Sequence, residues 1–486
     1  MDLVCGVDSS TQSSTVEVRR LDTFELVGTA RIPLVKTTPP VSEHDPNDWW
    51  DAMCSAIQTL STQGVRLSDI RAISVSGQCH GLVPLDSECR VIRKAKLWND
   101  TTSAPQVDEL MGFFDRGQWS NRMGIIPNPA HTVSKLLWLK QNEPENFDKI
   151  AHILLPHDYL TWRLTGQFAT DRSEASGTGY WSAVSQQYDN DLLRTTIDGD
   201  MAWETIVPEV LPPDAVAGMV TQEAAQATGL PAGIPVAIGG GDQHVGALGL
   251  GLGLGDLAYS LGTSGVVLAT HDSPVRDEQG WVDGVCDAAG GWLPLVCTLN
   301  ATKVTDTFAR LLGVSVQDLG VLALKADMSA PRPVLVAYLD GERSPSRPGA
   351  AGLLGNLNNT VNSEDVALAA FEGVIVGLLR GQRRIEDLGV DTSGRILVAG
   401  GGARAQAYRQ VLADHTGRDV YQVDAPEATA RGACIQAVTI LRQQTDRNAN
   451  IAAVRDSLLP PVVSVTAPRQ EAPWAGLMDT YLDLAK

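Results

Sequence analysis

Two aspartates stand where a side chain could take part in chemistry. Asp8 closes a short apolar run, Leu3 to Val7, and Asp242 follows three consecutive glycines. A carboxylate at the C-terminal end of a strand can hold Mg²⁺ against the phosphates of a nucleotide. Because nothing bulky shields Asp242, a substrate hydroxyl could reach its oxygens, as a general base requires. Two simpler interpretations stay open. Asp8 could have no role beyond closing a turn, and Asp242 could have no role beyond capping a helix that starts at Gln243.

A glycine-rich turn offers a second kind of chemistry. The predicted strand 395–399 runs into Gly400-Gly401-Gly402, and a predicted helix, 405–415, follows. Strand, glycine turn and helix together suit a nucleotide, because backbone amides and the positive helix N-terminus can face phosphate. The alternative is that these glycines only allow close packing between the strand and the helix.

Two further segments have the composition of a polar ligand pocket. His80 follows the predicted strand 70–75, which places it on a loop at a strand end, although a lone histidine is more often a structural hydrogen-bonding group. Trp98 and Asp100 combine an aromatic ring with polar groups, a mixture that suits a sugar. A buried tryptophan before a turn is the alternative interpretation.

The elements around these residues predict a duplicated α/β fold. Strand 256–262, a turn at Thr263-Ser264 and strand 265–270 repeat the hairpin at the start of the chain, with Thr263 lying 252 positions after Thr11. Helical patterns occupy 48–60 and 364–388, and 344–355 is predicted as a loop. We therefore expect two related halves that meet near residue 246, with a terminal helix, 474–484, packed on the second half.

Composition excludes several classes of protein. The 486 residues include 38 Lys and Arg against 57 Asp and Glu, so the formal net charge of −19 disfavours nucleic-acid and membrane-surface binding. Seven scattered cysteines without a C-x-x-C pair predict reduced thiols in a cytoplasmic protein. P-loop, G-x-G-x-x-G, H-E-x-x-H and G-x-S-x-G patterns are missing, so glycines, hydroxyls and carboxylates must do the chemistry.

Read in order, the segments of the chain resemble the FGGY family of carbohydrate kinases, and most closely its xylulokinase branch. The similar segments include Gly6 to Gln12, Ser76 to Gly81, Leu97 to Asp100, Gly239 to Asp242, Ser260 to Ser264, Tyr338 to Pro345 and Gly400 to Arg404. The resemblance extends from Asp8 to about Ala437. It implies two ribonuclease-H-like domains of the actin-like ATPase type, 1–246 and 247–486, which flank a central cleft.

The resemblance also implies roles for single residues. Asp242 is similar to the catalytic base of the family, and Asp8 to the carboxylate beside Mg²⁺. The implied contacts to ATP are Thr11, Gln12, Gly262, Thr263, Ser264, Gly401, Gly402 and Ala403. The implied contacts to the sugar are Cys79, His80, Trp98, Asp100, Asp242 and Gln243. The expected partners are a small sugar and a nucleotide, with no nucleic acid or membrane, and a homodimer is one expected assembly.

Three departures from the family pattern affect the identity of the sugar. Cys79 stands where methionine is usual, Gln243-His244 where Asn-Ala is usual, and Thr101-Thr102 where Gly-Arg is common. D-xylulose is the expected acceptor of phosphate, and ribulose, glycerol and gluconate are the alternatives. A different class also stays open, namely a non-catalytic, actin-like protein that senses sugar.

Overall fold

The first half of the chain folds around a six-stranded sheet. The computed structural model describes residues 2–470 and 472–486. The strands in chain order are β1 Leu3–Ser9, β2 Ser13–Arg20, β3 Leu26–Pro33, β4 Ile70–Gly77, β5 Val216–Met219 and β6 Pro235–Gly241. Their order across the sheet is β5-β6-β4-β1-β2-β3. The β1–β2 pair forms the predicted hairpin, in which Asp8 lies opposite Thr15, and β4 runs parallel to β1.

A seven-stranded sheet forms the centre of the second half. Its strands are β7 Leu257–Leu261, β8 Gly265–Ala269, β9 Asp283–Cys286, β10 Trp292–Thr298, β11 Ile396–Ala399, β12 Val420–Val423 and β13 Val462–Thr466. Their order is β9-β10-β8-β7-β11-β12-β13. The predicted second hairpin is the antiparallel β7–β8 pair, and β11 runs parallel to β7.

The two sheets repeat one topology. Each has three neighbouring antiparallel strands, β1-β2-β3 or β7-β8-β10, and the first of them pairs in parallel with a further strand, β4 or β11. A fifth parallel strand follows, β6 or β12, and an antiparallel strand covers its outer edge, β5 or β13. The second sheet has one additional antiparallel strand, β9, at the edge beyond β10. This confirms the predicted α/β class with two ribonuclease-H-like halves.

Helices connect and cover the strands. The six that matter most for the site are α1 Pro46–Thr62, α2 Pro156–Thr165, α3 Asp242–Leu250, α4 Ser363–Asp387, α5 Gln406–Thr416 and α6 Ala428–Gln443. The glycine-rich segment after Asp242, for which the sequence left a helix open, forms α3. Burial of Val245, Leu248 and Leu250 stabilises a helix that the intrinsic propensity of glycine disfavours.

Shorter elements complete the chain. The other helices are Ala104–Phe113, Arg116–Met123, Thr132–Asn142, Pro144–Phe147, Arg172–Ala175, Asn190–Thr196, Trp203–Ile206, Gln222–Thr228, Thr302–Leu312, Val316–Ala323, Ile451–Ser457 and Leu477–Leu484, with 3₁₀ turns at Leu67–Asp69 and Gly401–Arg404. The short strand pairs are Glu43–His44 with Ala95–Lys96, Val83–Leu85 with His152–Leu154, Ala169–Asp171 with Glu209–Leu211, Trp181–Ser182 with Gln187–Tyr188, and Val334–Val336 with Leu353–Gly355.

The region near the C-terminus agrees with prediction in one part and differs in another. The terminal helix begins at Leu477, and its Leu477 and Tyr481 pack against Val334, Val336 and Tyr338 of the second half, as predicted. The segment 344–355 is not wholly a loop, because Leu353–Gly355 pairs with Val334–Val336. Three residues are too few for a reliable alternation pattern, so this strand could not be recognised from the sequence.

The two halves meet through the helices that follow their fifth strands. In α3, a Cβ added at Gly249 would lie 2.8 Å from the backbone nitrogen of Gly432. In α6, a Cβ at Gly432 would lie 2.9 Å from the backbone carbon of Val245. Only glycine permits this backbone contact. The helix pair therefore joins the two sheets over a shared apolar cluster that includes Val4, Ala237, Leu248 and Cys434.

No helix within the described residues is both long and apolar enough to cross a membrane.

Candidate active site

A cavity of about 430 Å³ lies between the two halves. The first half contributes side chains from the β1–β2 turn, from the segment after β4 and from the start of α3. The second half contributes residues from β8, from β10 and from the loop that follows the strand Val334–Val336, including Arg343. Of the predicted site residues, the cavity wall brings together Thr11, Gln12, Cys79, His80, Trp98, Asp242, Gln243 and Ser264.

Asp242 is the first residue of α3 and reaches the cavity directly after the buried strand β6. Gly241 precedes the helix at the cap position, so Asp242 is not the N-cap that the alternative interpretation required. The Cys79 thiol donates a hydrogen bond to Asp242 Oδ1 over 3.4 Å. Burial raises the pKa of Asp242 to about 6, although hydrogen bonds from Cys79 and Gln243 act in the opposite direction. At neutral pH the carboxyl is ionised and can accept a proton.

Asp8 lies in β1, next to the cavity wall rather than on it. Within residues 2–470 and 472–486, its buried Oδ1 has no hydrogen-bond partner. Burial raises the pKa of Asp8 well above its usual range, and the negative charges of Asp242 and Glu427 raise it further, while Arg31 acts against them. An unpartnered carboxylate oxygen close to other carboxylates is a position that a hard cation would stabilise. The residues present therefore fit Mg²⁺.

The first hairpin turn is fixed to the tryptophan segment. Trp98 Nε1 donates to Thr11 Oγ1 over 2.9 Å, and Thr11 Oγ1 donates to Gln78 Oε1 over 3.1 Å. Trp98 is only partly buried and lines the cavity, so it is not simply a core residue. Its ring is available to the C–H face of a ligand, while its N–H holds the turn that contains Thr11 and Gln12.

His80 is held firmly and kept neutral. Its backbone has φ 64°, in the left-handed region, and its N–H donates to Glu174 Oε1. Its carbonyl oxygen accepts a hydrogen bond from Lys135 Nζ at 3.1 Å. Burial lowers the pKa of His80 well below its usual range, and the positive charges of Lys135 and Arg343 lower it further. A neutral imidazole can donate to or accept from a substrate hydroxyl.

Asp100 is the predicted sugar-contacting residue that lies away from the cavity. It is fully buried and accepts hydrogen bonds from the backbone N–H of Ser42 at 2.8 Å and of Thr102 at 3.0 Å. Lys96 Nζ lies 3.4 Å from its carboxylate. These protein groups use the hydrogen-bonding capacity of the Asp100 carboxylate. Because Asp100 lies two residues after Trp98, its hydrogen bonds stabilise the turn that carries the Trp98 ring.

The predicted nucleotide-contacting residues of the second half form two neighbouring turns. In the β7–β8 turn, Ser264 lines the cavity, whereas Gly262 and Thr263 lie outside it. Their carbonyl oxygens accept hydrogen bonds from Thr302 and Ala301 at the start of a helix. Gly401, Gly402 and Ala403 form a 3₁₀ turn after β11 and also lie outside the cavity.

The glycines of the 3₁₀ turn lie in different surroundings. A Cβ at Gly402 would lie 2.8 Å from the Cβ of Leu261, so this glycine allows close packing against the end of β7. A Cβ at Gly401 would meet nothing within 4 Å, so its backbone faces open space. Gly402 thus has a packing role against the neighbouring strand β7, and the nucleotide role of Gly401 stays a prediction.

Several residues around the cavity were not singled out from the sequence. His131 and His244 lie on its wall, Glu174 is buried behind it, and Arg343 reaches it from the second half with its guanidinium 3.5 Å from Asp283. Arg343 lies in the family-like segment Tyr338 to Pro345, and His244 belongs to the departure Gln243-His244, so the family resemblance was the available signal for these two. His131 has no local pattern that distinguishes it from a structural histidine.

Comparison with known proteins identifies the family. The model of the FGGY family of carbohydrate kinases matches with its N-terminal domain over residues 3–249 and with its C-terminal domain over residues 257–440. The chain belongs to the FGGY family of carbohydrate kinases. This confirms the resemblance inferred from the ordered segments.

Individual relatives of this FGGY chain agree with that assignment. A xylulose kinase from Streptomyces coelicolor is 40% identical over 450 residues, covering 90% of this chain and 88% of the relative. The crystal structure of xylulose kinase from Bifidobacterium adolescentis has a TM-score of 0.87 at 34% identity, covering 100% and 99% of the two chains. A gluconate kinase from Lactobacillus acidophilus has a TM-score of 0.87 at 22% identity, covering 99% and 96%, and this likeness shows the fold alone.

Proposed function

We propose that this FGGY kinase transfers the γ-phosphoryl group of ATP to D-xylulose, giving D-xylulose 5-phosphate and ADP. The observation that carries the proposal is the position of Asp242. Its ionisable carboxyl lies on the wall of an interdomain cavity, and the neutral His80 lies on the same wall. The high coverage of xylulose kinase relatives supports the choice of acceptor.

In the proposed reaction, Asp242 is the general base. Its carboxylate takes the proton of the terminal sugar hydroxyl while that oxygen forms a bond to the γ-phosphorus of ATP. The bond from the γ-phosphorus to the bridging oxygen breaks, and ADP leaves with the electron pair. Phosphoryl transfer needs mainly positioning and charge neutralisation, so a single base and well-placed donors are sufficient.

The nucleotide lies across both hairpin turns in this proposal. Backbone amides of Thr11 and Gln12 and the Thr11 hydroxyl face its phosphates from the first half. In the second half, the backbone amides and hydroxyls of Thr263 and Ser264, in the turn that begins at Gly262, face them. The turn at Gly401 to Ala403 holds adenosine, supported by the open space beside Gly401. Asp8 would hold Mg²⁺, which when bound neutralises negative charge on the phosphates.

The sugar occupies the part of the cavity next to α3. Cys79, His80 and Gln243 contact its hydroxyls, and the Trp98 ring packs on its C–H face. Asp100 acts on the sugar indirectly, since its hydrogen bonds keep the Trp98 turn in place. In this proposal, closure of the two halves around the bound sugar excludes water, so that the sugar hydroxyl rather than water reaches the γ-phosphate.

The remaining assignments concern organisation. The division into domains 1–246 and 247–486 falls within α3, which ends at Leu250. All seven cysteines lie in the described part of the chain and are free thiols, which supports a cytoplasmic location. A homodimer is the proposed assembly, and light scattering of the purified protein tests it.

Coupled detection of ADP tests the proposed acceptor. D-xylulose, D-ribulose, L-ribulose, glycerol and gluconate are compared at matched concentrations, with ATP alone as the control for hydrolysis. We expect D-xylulose to give the highest kcat/KM. A higher value for another acceptor would replace the substrate and keep the chemistry, whereas a lack of sugar-dependent ADP with every acceptor would favour the non-catalytic sensor.

A further inference from the structure

Three side chains with metal-binding atoms converge behind Asp242. Cys79 follows β4, Glu174 belongs to the short helix Arg172–Ala175, and His244 lies in the first turn of α3. Their sulfur, carboxylate oxygen and ring nitrogen all lie within 4.8 Å of one another. The three side chains are at most 8% exposed, and Cys79 and His244 line the cavity, which provides an entry path.

The orientation of the three groups leaves ligand atoms available. Glu174 Oε2 is completely buried and has no hydrogen-bond partner among residues 2–470 and 472–486. The ring nitrogen Nδ1 of His244 lies 2.8 Å from the carbonyl oxygen of Cys286. Because a carbonyl can only accept, Nδ1 carries the proton and Nε2 keeps its lone pair. A backbone carbonyl that orients an imidazole in this way is a common support for a metal ligand.

The three side chains converge on the face of Gly241 that has no side chain. A Cβ added there would lie 2.7 Å from Cys79 Sγ and 2.8 Å from His244 Cδ2, and it would also contact Glu174 Oε2. All of these contacts are too short for a real methyl group. The three groups can therefore come this close together only because residue 241 is glycine.

The geometry points to a site for a thiophilic divalent cation of the Zn²⁺ type at Cys79, Glu174 and His244. Thiolate, imidazole and carboxylate are the ligand types that Zn²⁺ takes, whereas Mg²⁺ prefers oxygen ligands alone. Three protein ligands leave a fourth position for water. When the ion binds, the Cys79 S–H bond breaks, its proton passes to water and a sulfur–metal bond forms. One thiolate and one carboxylate then balance the charge of the ion.

Metal titration of the whole protein tests this site. Chelator-treated protein is titrated with Zn²⁺ and with Co²⁺ in excess Mg²⁺, without sugar or ATP, so the result does not depend on the proposed kinase reaction. We expect one equivalent to bind and Co²⁺ to give a thiolate-to-metal charge-transfer band. Cys79→Ala should remove the band and weaken binding at least ~10-fold, in line with the loss of a ligand. Cys54→Ala is the matched control, because Cys54 is also a free thiol and also 8% exposed.

A second variant tests the site without removing any of its ligands. Gly241→Ala keeps all three ligands but places a methyl group against them, so it should also weaken binding, with circular dichroism confirming that the protein is folded. X-ray absorption of the Co²⁺-loaded wild type gives a result without any variant, and one sulfur ligand is expected. Absence of stoichiometric binding, retention of the charge-transfer band in Cys79→Ala, or a shell without sulfur would overturn the proposal.

Discussion

The two hairpins of the molecule share one scaffold and differ in chemistry. In the first, β1 and β2 are joined by residues 10–12, and in the second, β7 and β8 are joined by residues 262–264. Asp8 is the penultimate residue of β1, and Ser260 is the penultimate residue of β7. The same position therefore carries a carboxylate in one half and a hydroxyl in the other.

The helices after the fifth strands differ in the same way. In the first half, α3 begins with Asp242, which reaches the cavity. In the second half, α6 begins with Ala428 and packs its glycine Gly432 against α3. The comparison shows that the fold is repeated, while Asp8 and Asp242, the two aspartates proposed to do the chemistry, both belong to the first half. We interpret the first half as the side of base and cation, and the second as the side of uncharged phosphate donors.

The largest effect should come from Asp242→Asn, which removes the proposed base but keeps its shape. We expect kcat to fall by ~10²–10⁴-fold, because an amide cannot take the hydroxyl proton. The dissociation constant for ATP, measured by calorimetry, should stay nearly unchanged. Asp191→Asn, a highly exposed aspartate of a distant helix, is the control. Near-normal turnover of Asp242→Asn would refute the assignment.

The hairpin comparison itself is tested by a pair of variants. Asp8→Asn should lower kcat by ~10²-fold and raise the Mg²⁺ concentration needed for half activity, since it removes a fixed charge near the phosphates. Ser260→Ala, the equivalent change in the second hairpin, should alter kcat by less than about threefold and leave the Mg²⁺ requirement unchanged. Equal losses in both variants would contradict the proposed division of roles.

The contact between α3 and α6 can be tested through stability. Gly432→Ala should lower the free energy of unfolding by about 1–3 kcal/mol, because the new methyl group meets the backbone of Val245, which cannot move aside. Gly112→Ala is the matched control, since its Cβ would meet nothing within 4 Å and helical alanine is favoured over glycine. Chemical denaturation followed by circular dichroism measures both. Equal stability of the two variants would mean that the helix contact tolerates the added methyl group.

The smallest effect is expected from a change of pH. Below the pKa of Asp242, kcat/KM should fall about tenfold per pH unit. Burial raises the pKa of Asp242 to about 6. Only the ionised carboxylate can act as base, so kcat/KM should be constant near neutral pH and should fall as the pH drops below about 6. Initial rates between pH 5 and pH 8, with stability checked at each pH, measure this. An activity that stays constant down to pH 5 would contradict a base of this pKa.

Much of the fold could be predicted because its signals are local. Apolar runs that end in hydroxyl-rich turns gave both hairpins, and the position of Asp242 after three glycines gave its access to the cavity. Asp100 shows the limit of such reasoning. Its carboxylate accepts a hydrogen bond from the backbone N–H of Ser42, 58 positions earlier in the chain, and no local pattern records that contact.

The cluster behind Asp242 could not be predicted for a similar reason. Cys79, Glu174 and His244 are separated by at least 70 residues from one another, and only the folded chain brings them together. The sequence left open whether a helix follows Asp242, because the glycines of α3 lower helix propensity, while packing against α6 requires glycine at Gly249. Tertiary contacts decided both features.

Phosphorus NMR of the products formed by the wild-type enzyme from D-xylulose and ATP tests the central claim most directly. We expect one phosphate ester on the 5-hydroxyl for each ADP formed, and no ester with Asp242→Asn over the same time. Formation of ADP with inorganic phosphate and no sugar ester, or an unchanged yield of ester from Asp242→Asn, would contradict it.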